Sequence, residues 1–183
     1  MYNQVVSTLK SALNANQSKY QTIDITIGSY KELSFNKNIN PIFFEKTLKK
    51  LKSSIPNDNI NYRNYVLYEY EDDTLNDETN KQLLVFSNGS SVSHKTELVK
   101  ADVINTPTID FMYNISNKYK IENDSFEPRF TYDTIEETDG VQFKYNNIEI
   151  ELLTINSSNN VINIKCNRKN INKLNEVLKL IFE

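Results

Sequence analysis

The sequence predicts an α+β domain, mostly antiparallel strands flanked by an N-terminal, an internal and a C-terminal amphipathic helix, with residues 1–183 forming one unit. Apolar residues recur at helical spacing in three segments, and short β-rich runs separated by turn signals fill the space between the second and third. Glycine is scarce: three in 183 residues, against an ordinary ~7%. None is spaced as a Gly-rich phosphate loop, which excludes Rossmann and P-loop architectures.

Taken in order, Val6, Leu9 and Leu13 mark one face of a helix over about residues 3–15. Ile23, Ile25 and Ile27 alternate with Asp24 and Thr26 as a half-buried strand, and Gly28-Ser29 offers a turn into a second strand over 30–35. Asn40-Pro41 supplies a helix cap and a first-turn proline. Phe44, Leu48 and Leu51 form that helix's buried face, and the helix ends by Pro56. Strands are then expected at 62–71, 81–86, 91–99, 109–122, 127–136, 141–145, 148–155 and 161–166, in the manner of an antiparallel meander. The stretches 57–61 and 69–78 read as loops. Ile171, Leu174, Val177, Leu178 and Ile181 close the chain as a helix packed on the sheet over about 169–182.

Composition narrows the chemistry. With 24 acidic and 21 basic residues the formal net charge is -3, so the chain as a whole is not an electrostatic binder of nucleic acid. Two basic clusters, Lys46/Lys49/Lys50/Lys52 and Lys165/Arg168/Lys169/Lys173, read as solvated helix faces and ends. One cysteine, Cys166, excludes an internal disulfide. One histidine, His94, excludes zinc sites built from several His or Cys ligands, so any metal here is hard and oxygen-bound. His94 has Ser91 and Ser93 nearby but no nucleophile-elbow glycines, which argues against a Ser-His-Asp hydrolase. Cys166 reads as a small core or edge residue, and Tyr62, Tyr65, Tyr68 and Tyr70 as strand packing. Asparagine is so frequent that motifs built on it are discounted. No run approaches the ~18 apolar residues of a membrane span and no apolar leader is present. The expected location is therefore cytoplasmic, or a virion if the source is viral, without membrane contact.

The run Ile148-Glu149-Ile150-Glu151-Leu152-Leu153 is the most informative. Strand alternation puts Glu149 and Glu151 on one face and Ile148, Ile150 and Leu152 on the other. Two same-face carboxylates suit a shared Mg²⁺ or Mn²⁺, although any strand with one solvated face has the same pattern.

Glu149-x-Glu151 near a C-terminal helix resembles the last metal-binding strand of the triphosphate tunnel metalloenzymes, in particular the RNA 5′-triphosphatases of fungi and large DNA viruses. Ile23-Asp24-Ile25-Thr26-Ile27-Gly28, followed by the helix Ile42-Phe43-Phe44 to Leu51, is similar to that family's first strand and following helix. Thr26 stands where its second carboxylate belongs, and Asp24 is a methylene shorter than the family's Glu. The resemblance implies an antiparallel β-tunnel in which Asp24, Glu149 and Glu151 hold Mg²⁺ or Mn²⁺. Glu149 and Glu151 would be catalytic, and basic side chains would grip 5′-triphosphate RNA, the candidates being Lys95, Lys118, Lys120, Arg129 and Lys144. Implied partners are that RNA and a protein subunit of a capping or other assembly. The alternative is a non-catalytic structural or interaction subunit built on the same strands.

Overall fold

A computed structural model describes residues 2–16, 20–71, 79–121 and 132–183. Helix α1 (Tyr2–Ala15) leads into the hairpin of β1 (Gln21–Lys31) and β2 (Ser34–Asn36), followed by helix α2 (Pro41–Ser54). After a 3-10 turn at Asn57–Asn59 come β3 (Ile60–Glu71), β4 (Thr79–Phe86), β5 (Ser91–Asn105), β6 (Asp110–Ile121), β7 (Thr134–Tyr145), β8 (Ile148–Ile155) and β9 (Asn159–Asn167). A second 3-10 turn, Arg168–Lys173, enters helix α3 (Leu174–Phe182).

The strands run β2-β1-β6-β5-β4-β3-β7-β8-β9, and a further pairing of β1 with β9 closes all but β2 into an antiparallel barrel. Closure removes free sheet edges and divides every strand between an inside and an outside. The apolar core lies outside. Ile23, Ile25 and Ile27 of β1, Phe111 and Ile115 of β6, Phe143 of β7, Ile148 and Ile150 of β8, and Ile162 and Ile164 of β9 are fully buried. They pack in one cluster with Val5 and Leu9 of α1, Leu51 of α2 and Leu174, Val177 and Leu178 of α3. Each such side chain stabilises the fold by about 1.5–3 kcal/mol. Period two therefore commits the alternate residues, among them Asp24, Glu149 and Lys165, to the interior.

Several local expectations need correction. The first hairpin turns at Glu32-Leu33, both at positive φ (52° and 63°), and not at Gly28-Ser29. Gly28 stays in β1 because β2 crosses against it: a Cβ there would lie 2.2 Å from the Asn36 carbonyl oxygen. Residues 134–145 form one strand through Gly140 where two separate strands were expected, and the rest of the expected 127–136 strand falls largely outside the described residues. Residues 100–105 extend β5, and Glu69 to Glu71 belong to β3. Asn40 caps α2, its Oδ1 accepting from the Ile42 amide at 2.8 Å, but Thr47 takes the buried place expected of Leu48. The discounted asparagines matter at the β7–β8 turn, where Asn146 and Asn147 adopt φ of 51° and 61°. That primed hairpin turn is a conformation Asn tolerates better than most residues. No helix among the described residues is long and apolar enough to cross a membrane.

Candidate functional site

The barrel encloses two contiguous cavities, of about 530 and 720 Å³, which share Leu84, Lys118, Glu151 and Lys165 at their junction. Their linings differ. Thr22, Arg63, His94, Gln142, Glu149 and Asn167 surround the larger. The smaller runs from Asp24 and Thr26 through Leu67, Leu98, Met112, Leu153 and Val161 to Glu69, Glu71 and Glu136. The tunnel is thus polarised along its axis. A basic mouth leads past a mixed centre to an apolar stretch that ends among carboxylates, where Lys37 pairs with Glu136 at 3.7 Å.

At the centre Glu151 is 2% exposed, accepts from Arg63 Nη1 and pairs with the Lys165 ammonium, both at 3.5 Å. Arg63 is held in place by cation–π contacts, its guanidinium carbon lying 5.2 Å from the Tyr65 ring centre and 5.3 Å from that of Phe86. Barrel closure sets β9 between β1 and β8, so Lys165 is in register with Asp24 on one side and Glu149 on the other. One step along, Asn163 is in register with Thr26 and Glu151, and Thr26 Oγ1 donates to Asn163 Oδ1 at 2.8 Å.

Electrostatics confirm that the basic groups share one region. Burial, then Lys118, Lys165, Lys120 and Arg63, pull His94 down to about 4, so the imidazole is neutral at neutral pH. Among the described residues its Nδ1 is buried without a hydrogen-bond partner. Burial and Lys165 hold the Lys118 ammonium below the usual lysine range, against the pull of Asp24, Glu151 and Glu149. Burial opposes the charge of Lys165 too, but Glu151, Asp24, Tyr65 and Glu149 outweigh it and its pKa is raised. Cys166 faces the other way, buried in the outer core, and burial followed by Asp24 pushes its thiol up to about 12. That value leaves no thiolate for nucleophilic work.

Asp24, Glu149 and Glu151 line the interior, as strand parity requires. Lys118 reaches the centre, while Lys120, in register with His94, and Lys144, in register with Glu149, are exposed at the mouth. Lys95 does not join them: it occupies the outer-facing parity of β5 and pairs with Glu97 at 3.7 Å. Arg129 lies outside the described residues. Arg63 and Lys165 were missed. Lys165 was grouped with the solvated C-terminal cluster, yet its strand alternates Ile162, Ile164 and Cys166 against Asn163 and Lys165, which places it inside by the rule applied to Glu149.

The three carboxylates do not make a cage for a divalent cation. Among the described residues no three His, Cys, Asp or Glu side chains converge closely enough to hold one. Glu149-x-Glu151 lies on the strand before the last, and β9, with Lys165, separates it from Asp24. Among the described residues Asp24 Oδ1 is buried without a hydrogen-bond partner, which leaves one acceptor for a ligand's donor. Mg²⁺ needs near-octahedral oxygen ligation, and Glu151 is already committed to two cationic side chains.

No protein-family model matches the chain, and no curated protein matches it in sequence. Solved structures do match its fold. The S. pombe Pct1 RNA triphosphatase, in complex with the Spt5 CTD, superposes with a TM-score of 0.70 at 12% identity, covering 96% of this chain and 82% of that one. The RNA triphosphatase domain of the trifunctional mimivirus mRNA capping enzyme gives 0.64 at 14% identity, covering 99% and 94%. A triclinic form of the mimivirus triphosphatase gives 0.59 at 12% over 100% and 97%. The barrel with its three flanking helices is the triphosphate tunnel fold of these proteins.

Proposed function

We propose that this chain is a diverged RNA 5′-triphosphatase-like domain whose tunnel binds the 5′-triphosphate of RNA. The observation that carries this is the convergence of Arg63, Lys118, Lys120 and Lys165 on one mouth and centre of a closed barrel. A triphosphate entering there meets ammonium and guanidinium donors in a partly desolvated channel, where charge-assisted hydrogen bonds are strong. Lys120 and Lys144 at the rim draw the polyanion in. Lys118, close to a second ammonium, gains most from a phosphate between them, because the anion relieves the repulsion from Lys165. The acidic far end repels phosphate, so the 5′ end docks from the basic mouth and stops near the centre.

Fluorescence anisotropy with one RNA sequence bearing a 5′-triphosphate or a 5′-hydroxyl tests this directly. The triphosphate form binds more tightly, and Lys118→Ala weakens it by about 1.5–3 kcal/mol, the range for a hydrogen bond to a charged group. Equal affinity for the two RNAs would remove the reading. Phosphate release measured in the same samples with Mg²⁺ or Mn²⁺ present, and its loss in Glu149→Ala, would establish hydrolysis in addition to binding.

A further inference from the structure

In the tunnel's centre three carboxylates from two strands face one ammonium from the strand between them. Lys165 is in register with Asp24 and with Glu149, and its Nζ lies 3.5 Å from Glu151. Adjacent strands are about 4.8 Å apart, so Asp24 and Glu149 are about 10 Å apart at the backbone with the Lys165 stem rising between them. A cation bridging those carboxylates at the ~2.1 Å that Mg²⁺ demands would have to occupy the space of that stem. The ammonium, moreover, would sit close enough to repel it. In the neighbouring row Thr26 spends its hydroxyl on Asn163, so Glu151 is the one carboxylate of that row. Glu151 is neutralised from a second side by Arg63.

We propose that the Lys165 ammonium is the resident cation of this site, standing among Asp24, Glu149 and Glu151 in place of a divalent metal, so that the tunnel binds triphosphate without one. Lys165 then serves both charges at once: it neutralises the carboxylates that line the centre and offers its remaining N–H donors to a phosphate oxygen arriving from the mouth. An ammonium has three donors, so the two roles are compatible. The phosphate role rests on the tunnel-binding reading above. The exclusion of metal does not.

Two measurements test it. In the first, Mn²⁺ alone is titrated into the full chain and followed by electron paramagnetic resonance. The wild-type protein leaves the free-ion signal unchanged through the millimolar range. Lys165→Gln, checked for folding by circular dichroism, gains one Mn²⁺ site, which Glu149→Gln in that background removes. Wild-type protein that takes up one Mn²⁺ per chain, with loss of the ion in Glu149→Gln, overturns the proposal. So does a folded Lys165→Gln variant that still ignores Mn²⁺. If Lys165→Gln does not fold, the wild-type titration decides alone. In the second, affinity for 5′-triphosphate RNA is compared in EDTA and in Mg²⁺, with a difference under about twofold expected. A strong gain with Mg²⁺ overturns the proposal, whereas no triphosphate preference under either condition defeats the tunnel-binding reading and leaves the Mn²⁺ result to judge Lys165.

Discussion

Replacing Glu151 by Gln separates stability from binding in opposite directions. Glu151 is 2% exposed and its Oε1 lies 3.5 Å from both Arg63 and Lys165. Gln keeps the volume and an acceptor oxygen but removes the charge, leaving two partly buried cations uncompensated. Stripping one partner from a buried ion pair costs about 3–5 kcal/mol. Both contacts are long and both cations retain some exposure, so about 3 kcal/mol, the low end, is expected. The same change deepens the positive potential of the tunnel. A unit charge removed at about 8 Å from a phosphate, at an effective dielectric near 20, is worth about 2 kcal/mol, or more than tenfold in Kd. Urea unfolding should therefore show a lower midpoint at unchanged slope, while anisotropy shows tighter binding of 5′-triphosphate RNA. Weaker binding together with loss of Mn²⁺ uptake would identify Glu151 as a metal ligand and refute the reasoning. Unchanged stability would show that the two ion pairs contribute nothing.

Further outcomes follow from packing, burial and backbone geometry. Leu178→Ala, at a fully buried position of α3, should cost about 2–5 kcal/mol in urea unfolding; a loss below about 1 kcal/mol would show that face loosely packed. His94 has a folded-state value of about 4, below its ordinary 6.5. Its contribution to stability is therefore complete above about pH 6.5 and is lost as pH falls toward about 4, a dependence that His94→Gln should flatten in a pH series of unfolding midpoints. A bound triphosphate should raise the His94 value, seen in NMR as a move of its ring-proton titration midpoint to higher pH. Asn147 sits at φ 61°, so Asn147→Val should lower stability by about 1–2 kcal/mol while Asn147→Gly is tolerated; equal effects would rule out backbone strain as the cause.

Much of this was legible in the chain because strand parity is local. Ile148, Ile150 and Leu152 against Glu149 and Glu151, and Ile23, Ile25 and Ile27 against Asp24 and Thr26, state their two faces without reference to any partner strand. The helices were readable as apolar stripes, although the expected C-terminal helix over 169–182 begins at Leu174 after a 3-10 turn and Thr47 replaces Leu48 on the buried face of α2. What parity cannot give is adjacency. That β9 pairs with β1, and so inserts Lys165 between Asp24 and Glu149, is a long-range fact of barrel closure. Arg63 shows the other limit: flanked by Tyr62 and Asn64 in a polar run, it carries no sign of which face it takes. Only its register opposite Gly140 of β7, with Tyr65 and Phe86 beneath it, turns it inward.

The outward isoleucines and inward polar residues of β8 and β9 amount to two texts interleaved on one chain, each read by a different reader. Selection for folding reads the even text at Ile148, Ile150 and Ile164, and selection for chemistry reads the odd text at Glu149, Glu151 and Lys165. Because the two sets of side chains leave their strands on opposite faces, the odd text can be rewritten residue by residue while the even one stands. Drift of this kind would let a barrel exchange its ligands, and even the sign of a central charge, without passing through an unfolded ancestor. The fold is shared with solved structures at only 12–14% identity, so its shape tolerates wide change in sequence.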